Sequence, residues 1–152
     1  MKSKLLSRSD GVASYVLIFD TGDEFIAGLT GFAKEKKLDA SHFSAVGAFS
    51  SATLGFFDID AKEYRKIPVE EQVEVLSLDG GIALDKGEPK VHAHAVVGKS
   101  DGTTRGGHVL EAHVRPTLEV MLEELPAQLK RIFDAETGLA LIDLSETTFT
   151  RS

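Results

Sequence analysis

Val91-His92-Ala93-His94-Ala95-Val96-Val97 and, past a polar loop, His108-Val109-Leu110-Glu111-Ala112-His113-Val114 decide how this chain folds. Side chains alternate faces along an extended strand. Val91, Ala93, Ala95 and Val97 therefore make an apolar face, while His92, His94 and Val96 share the other. The loop between, Lys99-Ser100-Asp101-Gly102-Thr103-Thr104-Arg105-Gly106, carries the turn residues of a hairpin connection. Working outward, Phe43–Phe49, Thr53–Phe57, Glu63–Ile67 and Gln72–Leu78 are further short runs of strand type. Ser, Gly, Asp or Pro separates them, and Gly80-Gly81 breaks the last. Serial strands with close turn signals favour hairpins and an antiparallel or mixed sheet over alternating βαβ units.

Upstream, Ser14-Tyr15-Val16-Leu17-Ile18-Phe19 reads as a buried strand. Thr21-Gly22-Asp23-Glu24 has the spacing of a capping box. Behind it Phe25, Leu29 and Phe32 recur at helical spacing to about Leu38, giving one main N-terminal helix. Downstream, Thr117–Leu125 fits either a helix or a strand, Pro126–Asp134 a short helical turn, and Leu139–Leu144 a last strand. The fold class is thus α/β of the α+β type, with a mixed, largely antiparallel sheet. No linker or repeat divides the chain, so residues 1–152 read as one domain.

The 152 residues contain no cysteine, so any metal must be held by His, Asp or Glu. No apolar run is long enough for a membrane span and no secretory signal is visible; the absence of cysteine fits a reducing cytoplasm, where the protein is expected. With 17 Lys+Arg against 24 Asp+Glu, the net charge of −7 opposes non-specific DNA binding.

Four of the five histidines fall between positions 92 and 113. His92 and His94 are two strand residues apart, about 6–7 Å between α-carbons, which two imidazoles can close onto one ion. Strict alternation puts His108 and His113 on opposite faces of their strand, so both cannot meet that pair. The hairpin brings His108 close to the loop, and Gly106-Gly107 before it permits tight backbone approach, which favours His108. Three imidazoles without a thiolate match an open site for zinc, or another divalent metal. Glu111 and Glu74 are candidates to orient an imidazole, and Arg105 and Arg115 to hold an anionic ligand or to form surface or subunit salt bridges. Spacing alone leaves a second reading open, in which these histidines are half-buried and bonded to neighbouring backbone.

Gly98-Lys99-Ser100 lacks the earlier glycine of a phosphate-binding loop, because Ala93 stands there. His42, alone at the start of a strand, reads as a structural residue.

The motifs Glu74-Val75-Leu76-Ser77-Leu78-x-Gly80, Pro89-x-x-His92-x-His94, Asp101-Gly102 and Gly106-Gly107-His108-Val109-Leu110-Glu111 together resemble the plants-and-prokaryotes-conserved (PPC) domain family. Thr117-Leu118-Glu119-Val120 extends the likeness, and Ala45-Val46-Gly47-Ala48 and Gly55-Phe56-Phe57-Asp58 carry it more weakly towards the N-terminus. Bacterial members bear the label of DNA-binding proteins with a PD1-like motif. The resemblance implies a homotrimer, a fold similar to that of acetolactate decarboxylase, and strand structure at Leu118–Leu122. It also implies a metal, usually zinc, on His92, His94 and His108 near subunit contacts. Plant members carry DNA-binding AT-hooks that have no counterpart here. The readings that follow are a metal-binding, regulatory or assembly protein, or a zinc-dependent lyase or hydrolase taking a small oxo-acid as its ligand.

Overall fold

The computed structural model describes residues 1–149. The elements run β1 (Lys2–Ser9), β2 (Val12–Asp20), α1 (Phe25–Lys36), β3 (Ala40–Asp58) and β4 (Glu63–Val69). They continue with β5 (Val73–Asp85), β6 (Glu88–Gly98), β7 (Thr104–Glu124), β8 (Ala127–Asp134) and β9 (Leu139–Phe149). The strands join in one sheet ordered β1-β2-β7-β3-β5-β8-β9, with β4 added to β3 and β6 bridging β5 and β7. Ladders therefore close a circuit, β3 to β5 to β6 to β7 and back to β3. Among the described strands, only β5 and β8 pair in parallel, so the sheet is mixed and largely antiparallel.

The expected alternation holds along β2, where Ala13, Tyr15, Leu17 and Phe19 are buried. Helix α1 buries Phe25, Leu29, Phe32 and Ala33 against this layer. Tyr15 meets Phe32 edge-on at 5.3 Å, and Phe19 meets Phe25 at 5.6 Å. Each fully buried phenylalanine contributes about 1.5–3 kcal/mol by leaving water.

Long-range pairing overrides several local expectations. The two runs expected at Phe43–Phe49 and Thr53–Phe57 are one 19-residue strand, β3, which bends at bulges instead of stopping. Gly80-Gly81 does not break its run, because β5 continues through both to Asp85. The ambiguous Thr117–Leu125 segment is strand: Leu118 pairs with Phe19 on one side and Gly47 on the other. Such a position satisfies its backbone groups towards both neighbours, which the helical period cannot offset.

Pro126–Asp134 is not a helical turn but contains β8, laddered to β9 from Lys130↔Asp143 to Asp134↔Leu139. Asp134 closes that hairpin by accepting from the Thr137 N–H and hydroxyl. Thr21 does not cap α1. Its hydroxyl donates to the Pro116 carbonyl, and the cap is Glu24, whose carboxylate accepts from Ile26 N and Ala27 N. Glu24 also accepts from Ala112 N at 3.0 Å, so one carboxylate ties the helix start to β7.

Candidate metal centre and its cavity

The β6–β7 hairpin forms as its turn residues imply. Lys99 N donates to Thr103 O, and Asp101 accepts from the Thr103 N–H and hydroxyl. Lys99 Nζ lies 2.9 Å from Glu71, so this lysine is paired with a carboxylate. Register then places His94 directly opposite His108. Val91, Ala93, Ala95 and Val97 are buried as the alternation requires, which turns His92 and His94 outward together.

The three rings form a triangle. Centroids are 5.0 Å apart for His92 and His94, 5.0 Å for His92 and His108, and 5.4 Å for His94 and His108. One ring nitrogen from each lies within 4.8 Å of the others, and Nε2 of His92 and His94 approach to 3.1 Å. His108 stacks on Tyr64 of β4 at 4.8 Å, and its Nδ1 is buried without a hydrogen-bond partner. A buried, unpartnered nitrogen is costly. A divalent ion that accepts neutral imidazole nitrogens fits this donor set.

Burial lowers the His108 pKa to about 4, helped by His92, His94 and Lys90 nearby. The same burial lowers that of His92, with Arg131 and His94 adding to the effect. Both rings are thereby held neutral, the form that ligates a metal.

A cavity of about 640 Å³ opens over the cluster. Besides the histidines, its wall includes Phe57, Tyr64, Leu110 and Leu141, with Lys90, Asp85 and Arg131 as its charges. Tyr64, Asp85 and Arg131 come from β4, β5 and β8, far from the histidine motif in sequence. Nothing local in the sequence marks them, and Arg131 fell in the segment expected to be helical.

The other candidates lie elsewhere. Glu111 Oε1 lies 2.9 Å from His113 Nε2, beside a shallow cleft with Ser51 and Glu70. Glu74 pairs with Gly98 at the loop end of the hairpin, and Arg115 is exposed; neither lines the cavity. His42 lies 3.8 Å from Glu123 on an exposed surface.

Strand parity does not set His113 apart from His108. Thr53 pairs with Glu111 but Leu54 pairs with Val109, so Leu110 is bulged and the alternation resets there. Val109, Ala112 and Val114 are all buried, which puts His108, Glu111 and His113 on the outer side together. Distance and the Glu111 contact, not facing, keep His113 out of the cluster.

The model of the Plants and Prokaryotes Conserved (PCC) domain matches residues 7–126, and the chain belongs to that family. It is similar to a metal-containing protein of Archaeoglobus fulgidus, with 34% identity, a TM-score of 0.81, and 93% of this chain and 96% of that chain covered. A provisionally named DNA-binding protein of Bacteroides thetaiotaomicron is 26% identical, with a TM-score of 0.87 over 95% of this chain and 99% of that one. Over 127 residues, 82% of this chain, it is 32% identical to the bifunctional protein GlmU of a Synechococcus strain, JA-3-3Ab. The chain spans only 19% of that relative's length. In fold alone it is similar to a Staphylococcus aureus protein described as like alpha-acetolactate decarboxylase. That likeness has a TM-score of 0.54 and 14% identity, covering 72% of this chain and 51% of that one.

Proposed function

We propose that the protein is a homotrimeric metal-binding member of its family, in which His92, His94 and His108 hold zinc or another divalent ion. One observation carries this reading: three convergent imidazoles, with His108 Nδ1 buried and lacking any partner. The metal-containing relative from Archaeoglobus supports it. We further read residues 1–152 as one domain of a cytoplasmic protein; among the described residues, no helix is long and apolar enough to cross a membrane. Support for self-association comes from Val46, Leu76 and Met121, large apolar side chains exposed around one shallow cleft.

Native mass spectrometry tests both parts together. Wild type is expected as three chains with about one metal per chain, the complement of a single three-imidazole site. His92→Ala and His108→Ala should each lose the metal, while His113→Ala should keep it. Full metal occupancy in both of the first two variants would sink the assignment, and a monomer at micromolar concentration would sink the trimer.

DNA enters this reading as the family's label only. A chain of net charge −7 must overcome its own repulsion of phosphate. Negligible DNA binding at physiological salt is expected, and salt-sensitive nanomolar binding in a gel shift would overturn that.

The cavity over the histidines favours a second reading, a lyase or hydrolase acting on a small oxo-acid. A divalent ion held by these three imidazoles would supply a Lewis acid that polarises a carbonyl. In that reading the stacked Tyr64 fixes the His108 ring, and the largely apolar wall beside the histidines would hold the substrate's carbon skeleton.

A further inference from the structure

Arg131 is a cation built into the cavity wall with no carboxylate in direct ion-pair contact. Its backbone is fixed by the short parallel pairing with Asp85. Its Nη1 donates to the Ala140 carbonyl across the β8–β9 hairpin at 3.1 Å. Its Nε is buried and has no partner. Among the described residues no Asp or Glu lies within ion-pair distance of it, Asp85 included. Burial lowers the guanidinium pKa against the pull of Asp85, in keeping with a half-buried cation. A buried guanidinium N–H without an acceptor is costly unless a ligand occupies it. Lys90 adds a second positive charge to the same cavity, against the single carboxylate of Asp85. The rest of the wall is apolar and aromatic, from Phe57, Tyr64, Leu110, Leu139 and Leu141.

Two chemistries thus face one space: a planar cation with free N–H groups, and a body of apolar surface. Guanidinium recognises carboxylate best, because its donors match two oxygens at once. The cavity exceeds what a lone inorganic anion fills, and the apolar wall gives a hydrated ion nothing to bind. The hairpin that supplies Arg131, Leu139 and Leu141 follows the segment matched by the family model, residues 7–126.

We propose that this cavity binds a small organic acid, with its carboxylate on Arg131 and its apolar body between Tyr64, Leu110 and the β8–β9 hairpin. This rests on reading the histidine cavity as the functional site, and it names the ligand class that site takes. The hairpin then sets ligand choice, while the histidine cluster below it receives the ligand's other end.

Ligand-observed NMR and titration calorimetry with three probes of one shape test the proposal: 3-phenylpropionate, its amide and 3-phenylpropylamine. Each is measured on metal-free and zinc-loaded protein. The acid is expected to bind about tenfold or more tightly than the amide, as a charge-assisted bidentate contact requires. The amine should bind least. Arg131→Gln should bring acid and amide to within about twofold of each other, and Arg131→Lys should keep part of the preference as a point charge. The wild-type probe series needs no variant, so a misfolded Arg131→Gln does not rescue the proposal. Equal binding of acid and amine, no binding of any probe at millimolar concentration, or an acid preference unchanged in folded Arg131→Gln overturns it. Failure of zinc to bind while the acid preference persists overturns the metal reading alone. Zinc binding without an acid preference overturns this inference alone.

Discussion

Replacing Gly80 by alanine should both destabilise the protein and weaken its hold on metal, by about 3 kcal/mol and about tenfold respectively. Gly80 lies inside β5, opposite Ala93 of β6. A Cβ there would press on the His92 carbonyl and come within 2.5 Å of Phe43 Cζ and 3.0 Å of Ala93 Cα. The first and last of these belong to the strand that carries His92 and His94. Phe43 is 2% exposed and meets Phe25 at 6.1 Å, so it has little room to retreat. Overpacking at such a point forces β5 and β6 apart, and the strand that shifts is the one that aims two of the three imidazoles. Gly87→Ala is the control. It lies in the turn joining the same two strands, with nothing within 4 Å of its Cβ, and its positive φ of +84° makes it cost only about 1 kcal/mol of backbone strain. Urea unfolding and a zinc titration on both variants decide the matter. A Gly80→Ala protein that unfolds at the wild-type midpoint would show that the strands yield without cost.

That role of Gly80 illustrates which parts of the fold could be read from the sequence. Where a segment alternates without interruption, as in β2 and β6, one face is apolar and the reading is sound. Tyr15, Leu17 and Phe19 are inside, and His92 and His94 point out together. Local rules fail where a residue answers to a distant partner. Gly80 looks like a breaker, yet it serves close approach of two strands. Gly47, with φ +150° and a Cβ position 2.8 Å from Leu118 Cα, does the same at a bulge in β3. Leu110 resets the alternation of β7, which no propensity signals, so strict parity wrongly sets His108 and His113 on opposite faces, while loop position and Gly106-Gly107 still favour His108. The cavity was the least legible feature. Two of its charges, Asp85 and Arg131, become neighbours only through two parallel residue pairs between strands distant in sequence. The histidines could be found because one hairpin carries all of them. The residues that face them could not.

Saturating zinc should raise the stability of the folded protein by about 4 kcal/mol at a thousandfold excess over Kd, and acid should remove that gain. His108 ligates only when neutral, and in the metal-free fold it stays neutral until the pH nears 4. The lowered pKa of His92 acts in the same direction. In the unfolded chain a histidine takes its proton near its ordinary value of 6.5. Between those two values the unfolded state binds more protons than the folded one, so stability rises with pH and is lost as pH falls. Metal-free protein should therefore weaken progressively from about pH 6.5 towards 4. Asp58, Asp101, Asp134 and Asp143 have lowered pKa values and act below 3.8, beneath this window. Glu124 opposes the trend, since burial raises its pKa and its stabilising effect is lost as pH rises. The comparison of wild type with His108→Ala isolates the imidazole from these carboxylates. Denaturant unfolding across that range, with zinc and with chelator, should show a shallower acid loss in His108→Ala and almost no zinc increment. Native and variant curves that superimpose under both conditions would mean that His108 is neither desolvated nor a ligand.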